Sequence, residues 1–191
     1  MSQKSHRDPR AEHSRRVICR AALDQFAESG YAGLRMESVA ARAGVSRSTL
    51  YRHWPDKAAL IADALDTLNV QPDPARDESG ATARQRVEIL LHHLATALTD
   101  SAVSACIPAL VHAAATESVV RDFFYAYSAH RRRRLTETIA AGVANGEFSG
   151  RIDPEAAAIA LSGALFYQRL ATSDVADDLF IDRLVDTVMG P

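Results

Sequence analysis

Between residues 46 and 53 the chain sets out Ser46, Arg47, Ser48, Thr49, Tyr51, Arg52 and His53, donors of the kind that meet phosphates and base edges. An arginine can bridge guanine O6 and N7 with two bonds, whereas serine and threonine are less selective. Arg47, Ser48 and Thr49 stand near the start of this segment, where side chains reach base edges. Tyr51, His53 and Lys57 are assigned to phosphates, which position a protein without specifying sequence. Lys57 also falls in the first turn of the next helix, whose free N–H groups form an anion site. Arg52 reads as a solvated charge, and Tyr51 has packing as its alternative role.

Two short elements must position these groups. Met36, Val39, Ala40 and Ala43 recur at helical spacing on one face, and Leu50 and Trp54 do so four residues apart. Gly-Val-Ser at 44–46 separates the two runs. Gly44 suits a left-handed helix end, Val45 plugs the turn, and Ser46 can cap the second helix. The reading is a helix-turn-helix, with residues 46–53 on its second helix.

Composition frames this motif. The chain has 191 residues, 47% apolar and 24% charged, as expected of a globular protein. No run of about 20 apolar residues predicts a membrane span, and the first ten residues lack the apolar core of a secretory signal. Cys19 and Cys106 are far apart and read as reduced thiols, so a cytoplasmic location is expected. Net charge is −2, but residues 1–52 carry 10 basic and 5 acidic residues, leaving the remainder at −7. A basic end on an acidic body concentrates phosphate binding at one end.

The pattern along the chain is all-α. Residues 1–8 read as a disordered basic arm, with order expected from about residue 9. A first helix carries Val17, Ile18, Ala21, Ala22 and Phe26 and stops at Ser29-Gly30. Pro55-Asp56 opens a fourth helix, with Leu60, Ile61, Ala64, Leu65 and Leu68 inward, the one obvious mechanical link to the body. Val70 to Gly80 reads as a mobile loop. Helices follow at about 82–99, 101–115 (kinked by Pro108), 117–144, from Asp153-Pro154 to about 172, and from Asp174 to Gly190. The organisation expected is a helix-turn-helix domain over 1–54 and a second, helical domain, the body, over 55–191.

The last two helices leave little polar surface on one side. A helix apolar all round must be covered on every side, and a second copy presenting the same pair would complete a four-helix bundle. Ile159, Gly163, Phe166, Tyr167, Phe180, Leu184 and Val188 are the residues assigned to that dimer interface.

The run Ala-Ala-Arg-Ala-Gly-Val-Ser-Arg-Ser-Thr-Leu-Tyr-Arg-His-Trp-Pro-Asp-Lys-Ala-Ala-Leu resembles the DNA-binding signature of the tetracycline-repressor (TetR) family. The upstream Ala-Ala-Leu-Asp-Gln-Phe-Ala-Glu-Ser-Gly-Tyr is similar to that family's first helix, and the likeness spans roughly residues 14–65. More loosely, Gly163-Ala-Leu-Phe-Tyr and residues 177–186 resemble the C-terminal helices of one branch. The resemblance implies a homodimer on a pseudo-palindromic double-stranded DNA operator, a helical ligand-binding body, and repression relieved by a small molecule. Arg35 stands where the family usually has Thr or Ser capping the second helix; it cannot cap and is assigned to phosphate instead.

For the effector, His93, Cys106, His112, Phe123, Phe124, Tyr127 and Arg131 form the candidate lining, mostly apolar with a few polar groups. In Arg131-Arg132-Arg133-Arg134, successive positions turn by about 100°, so four in a row cannot reach one ligand. Most of the run should be solvated or paired with acids such as Glu137. Arg131 shares a face with Arg134 and is the candidate to meet an anionic group. His92, His93 and His112 lack metal-ligand spacing, and no nucleophile–base pair or Gly-rich phosphate loop supports an enzyme. No metal or cofactor is expected. The alternative to a ligand-responsive regulator is a constitutive DNA-binding protein whose body core is filled.

Overall fold

The computed structural model describes residues 9–67, 80–99, 102–172 and 176–190, and among these the chain forms nine helices and no strand. They are α1 (Pro9–Gly33), α2 (Met36–Arg42), α3 (Arg47–His53), α4 (Lys57–Asp66), α5 (Ala83–Thr99), α6 (Ala102–Thr116), α7 (Ser118–Ala144), α8 (Pro154–Ala171) and α9 (Asp178–Met189). The all-α reading therefore holds. The N-terminal arm, Leu68 and most of the 70–80 loop lie outside the described residues, as does Asp174. The last helix is capped by Asp177 rather than started by Asp174, its carboxylate accepting from the Phe180 N–H at 2.8 Å.

The chain divides into two compact units, residues 1–69 with 105–124, and residues 70–104 with 125–191. The first unit is built on α1. Ile18, Ala22 and Phe26 line its fully buried stripe, against which Val39 of α2, Leu50 of α3, and Leu60 and Ala64 of α4 close. α1 bends at Gly30, whose φ of +66° places it in the left-handed region that glycine enters freely. α4 belongs to this unit, so the compact units do not follow the 54/55 division.

α6 and α7 also reach this core, through Cys106, Leu110, Ala113 and Val120. The first three recur at i, i+4 and i+7 on one helix face, the spacing that buries a stripe. The Cys106 thiol donates to the Leu23 carbonyl at 3.5 Å. α6 and α7 each have residues in both units, whereas α4 lies wholly in the first. α6 runs as one continuous helix with Pro108 inside it.

In the second unit α5, α8 and α9 pack pairwise. Thr82 and Gln85 cap α5 reciprocally, each side chain accepting from the other's backbone N–H. Gly142 of α7 permits a close approach: a Cβ there would lie 2.4 Å from the Phe148 ring and 2.7 Å from Ala83. Asp153 caps α8 by accepting from the Ala156 N–H at 2.7 Å. Among the described residues no single helix is long and apolar enough to cross a membrane.

Candidate nucleic-acid interface

The turn between α2 and α3 follows from three residues. Gly44 adopts φ +67°, and the Val45 N–H returns to the Ala40 carbonyl at 3.0 Å. Ser46 is extended and caps α3, its Oγ accepting from the Thr49 N–H at 3.1 Å. That oxygen also lies 2.9 Å from the hydroxyls of Ser48 and Thr49, so three hydroxyls cluster at the helix start. Leu50 is fully buried, and Trp54, at the helix end, is 4% exposed. Arg47, Ser48, Tyr51, Arg52 and His53 are left exposed on the outer side, with Thr49 half-buried.

Glu37 of α2 is the residue that sequence reasoning missed. Its carboxylate accepts from the Arg47 guanidinium, and the Tyr51 hydroxyl donates to it at 3.4 Å. Its own backbone N–H and then Arg47 hold it below the usual carboxylate range. An acid thus orients the arginine assigned to bases and the tyrosine assigned to phosphates. No periodicity signals this, because the pairing crosses the turn between two helices.

Arg35 sits at the N-cap of α2 with extended backbone and no side-chain cap bond; its guanidinium donates to the Ala32 carbonyl at 3.0 Å. The Lys57 ammonium donates to the Tyr31 carbonyl at 2.8 Å and lies 4.2 Å from the Tyr31 ring centroid. The start of α4 is already served by Asp56, whose carboxylate accepts from the Ala59 N–H at 2.8 Å. A side chain thus takes up one of the helix-end donors that the sequence offered to an anion.

The effector candidates fall in different units. Cys106, His112, Phe123 and Phe124 belong to the first, and His93, Tyr127 and Arg131 to the second. Cys106 is 1% exposed within the first unit's core, so it packs that core instead of lining an open pocket. Phe123 and Phe124 pack against the same core, and His112 is exposed. On α7, Arg131 donates to the Tyr127 hydroxyl at 3.3 Å and stands 5.7 Å from its ring centroid. Arg132 pairs with Glu155 of α8 at 2.7 Å, and Arg133 with Glu137 at 3.9 Å. Among the described residues no three His, Cys, Asp or Glu side chains are placed to share a metal.

On α8 and α9 the apolar residues divide between two faces. Ala157, Ala158, Leu161 and Leu165 are buried with Ile181, Val185 and Met189. Ile159, Gly163 and Tyr167 are exposed, and Phe166, Phe180, Leu184 and Val188 are half-buried. Leu170 and Leu179, absent from the assigned interface, are also exposed.

A capped recognition helix that presents donors outward from a turn fixed by Gly44 defines a helix-turn-helix DNA-binding regulator. The comparisons agree. Residues 18–64 match the family described as bacterial regulatory proteins, tetR family, and residues 78–188 match the tetracyclin repressor-like C-terminal domain. The chain belongs to the TetR family of transcriptional regulators. It is 29% identical over 180 residues to the HTH-type regulator YdeS of Bacillus subtilis, covering 93% of this chain and 88% of that one. It is 28% identical to the DNA-binding transcriptional repressor TetR of Mycobacteroides abscessus, covering 94% of each. A TetR-family regulator from Rhodococcus sp. superposes with a TM-score of 0.76 at 26% identity, covering 93% of this chain and 99% of that one.

Proposed function

We propose that the protein is a ligand-responsive repressor that binds a pseudo-palindromic operator as a homodimer and leaves it when a small molecule occupies the body. The observation that carries this reading is the exposed outer side of α3, where Arg47, Ser48 and Tyr51 stand clear of the core while Leu50 anchors the helix. Arg47, Ser48 and Thr49 read base edges; Arg35, Ser46, Tyr51, His53 and Lys57 meet phosphates.

The homodimer is supported by the exposed apolar face of α8 and α9, where Ile159 is 52% and Tyr167 68% exposed. Covering that face with its own copy removes apolar surface from water and sets two recognition helices one turn of duplex apart, about 34–36 Å. Response to a ligand is supported by the two units sharing α6 and α7, so that a change in the body acts on the core that seats α1–α4. His93, Tyr127 and Arg131 are the polar groups offered to the effector. Release then requires that the effector bind the DNA-incompetent arrangement more tightly.

The test is sedimentation of the wild type and Tyr167→Arg, followed by binding of each to duplexes enriched from random DNA. The wild type is expected to sediment as a dimer and to bind an inverted repeat, and Tyr167→Arg to be monomeric and at least tenfold weaker. A monomeric wild type that binds single half-sites would contradict the reading. Compounds that dissociate the wild-type complex would separate the ligand-responsive regulator from a constitutive one.

A further inference from the structure

α3 has only seven residues, too few to hold a direction by helix propensity alone. Its one buried side chain, Leu50, fixes a point on the helix but not an axis. The second point is Trp54, the chain's single tryptophan, which ends the helix in extended conformation with its N–H returned to the Leu50 carbonyl at 3.0 Å. Its ring lies in the core, where apolar packing is non-directional. What stops it at one place is a hydrogen bond from the indole Nε1–H to Oδ2 of Asp63 on α4, at 2.9 Å.

The same carboxylate holds α1. Arg15 donates from Nε to Oδ2 at 2.9 Å and from Nη2 to Oδ1, a two-point fork on a half-buried acid. Three donors from two elements thus converge on one aspartate carried by a third. Charge-assisted and bidentate bonds are the directional ones, and shielding from water strengthens them.

We propose that Asp63 is the positioning residue of the recognition helix, setting the direction of α3 through Trp54 and referring it to α1 through Arg15. Leu50 is the pivot. Arg47 lies three residues to one side of it and Trp54 four to the other, about 4.5 and 6 Å at 1.5 Å per residue. A shift of the Trp54 end therefore swings the base-reading end by a similar distance the opposite way. Because Asp63 rides on α4, any displacement of α4 is passed to α3 at this joint. The proposal rests on α3 reading DNA.

The experiment uses full-length protein and duplexes enriched from random DNA by the wild type. Preference for an enriched over a scrambled duplex is measured well below the melting midpoint. Trp54→Phe, which keeps an aromatic ring but loses the pyrrole ring with its N–H donor, and Asp63→Ala, which releases both Trp54 and Arg15, are each expected to cut that preference about tenfold. The double variant should lose little more than the larger of the two single losses, since the Trp54–Asp63 bond is already broken in each, and scrambled-duplex binding should not change. Trp54 emission should shift in Asp63→Ala with helicity retained. If Asp63→Ala fails to fold, Trp54→Phe decides. Unchanged preference, or losses that add, overturns the joint; a wild type that enriches no duplex overturns the DNA-binding reading itself.

Discussion

Lys57 closes α4 onto the end of α1: its ammonium donates to the Tyr31 carbonyl at 2.8 Å while lying over the Tyr31 ring. The contact leaves two of the three ammonium donors for phosphate, so one side chain serves both fold and ligand. Lys57→Met is expected to lower stability by about 1 kcal/mol and to reduce the salt dependence of DNA binding by about one phosphate contact. Thermal melts and affinities at several salt concentrations check the two effects. A lower melting midpoint with an unchanged salt slope would confine Lys57 to the fold.

Glu37 gives a prediction of opposite sign. Its carboxylate meets both Arg47 and Tyr51, and it would face the DNA those residues are assigned to contact. Glu37→Gln removes that negative charge and loosens Arg47. Affinity for unrelated duplexes is expected to rise while the ratio between operator and unrelated duplex falls. Weaker binding to every duplex would mean that Glu37 supports the interface only through the fold.

The two cysteines bear on pH. Burial pushes the Cys19 thiol up to about 12 and that of Cys106 to about 11. Both stay protonated in the folded chain, whereas the unfolded chain gives up these protons near the ordinary value of about 8.5. Stability from this source is full below that pH and declines as pH rises towards 11 and 12. The urea midpoint should fall between pH 8 and 10, and less steeply in Cys19→Ala. Native thiols should also resist iodoacetamide at pH 8, and rapid native alkylation would refute this account.

How far the sequence carries the structure depends on the range of each interaction. The turn was legible because Gly44, Ser46 and Leu50 act on their own neighbours, through a positive φ, a cap and an i, i+4 stripe. Asp153 at the start of α8 was legible for the same reason. The pairings Glu37–Arg47, Arg15–Asp63 and Lys57–Tyr31 were not, because each joins elements whose relative placement exists only after packing. Cys106 illustrates the converse. Its polar atom suggested a pocket wall, but its stripe with Leu110 and Ala113 carries it into the core beneath α1. The start of α9 slid from Asp174 to Asp177 because both are aspartates able to cap, and local chemistry alone does not choose between them.

The central claim is that base reading sits at the start of α3, and Arg47 tests it most directly. The measurement is the affinity of wild type and Arg47→Ala for an operator panel in which each base pair is changed singly. Wild type should lose about 1–3 kcal/mol at a guanine that Arg47 contacts. Arg47→Ala should lose that discrimination at the same position in each half-site and keep it elsewhere. An identical discrimination profile in the two proteins would contradict the assignment.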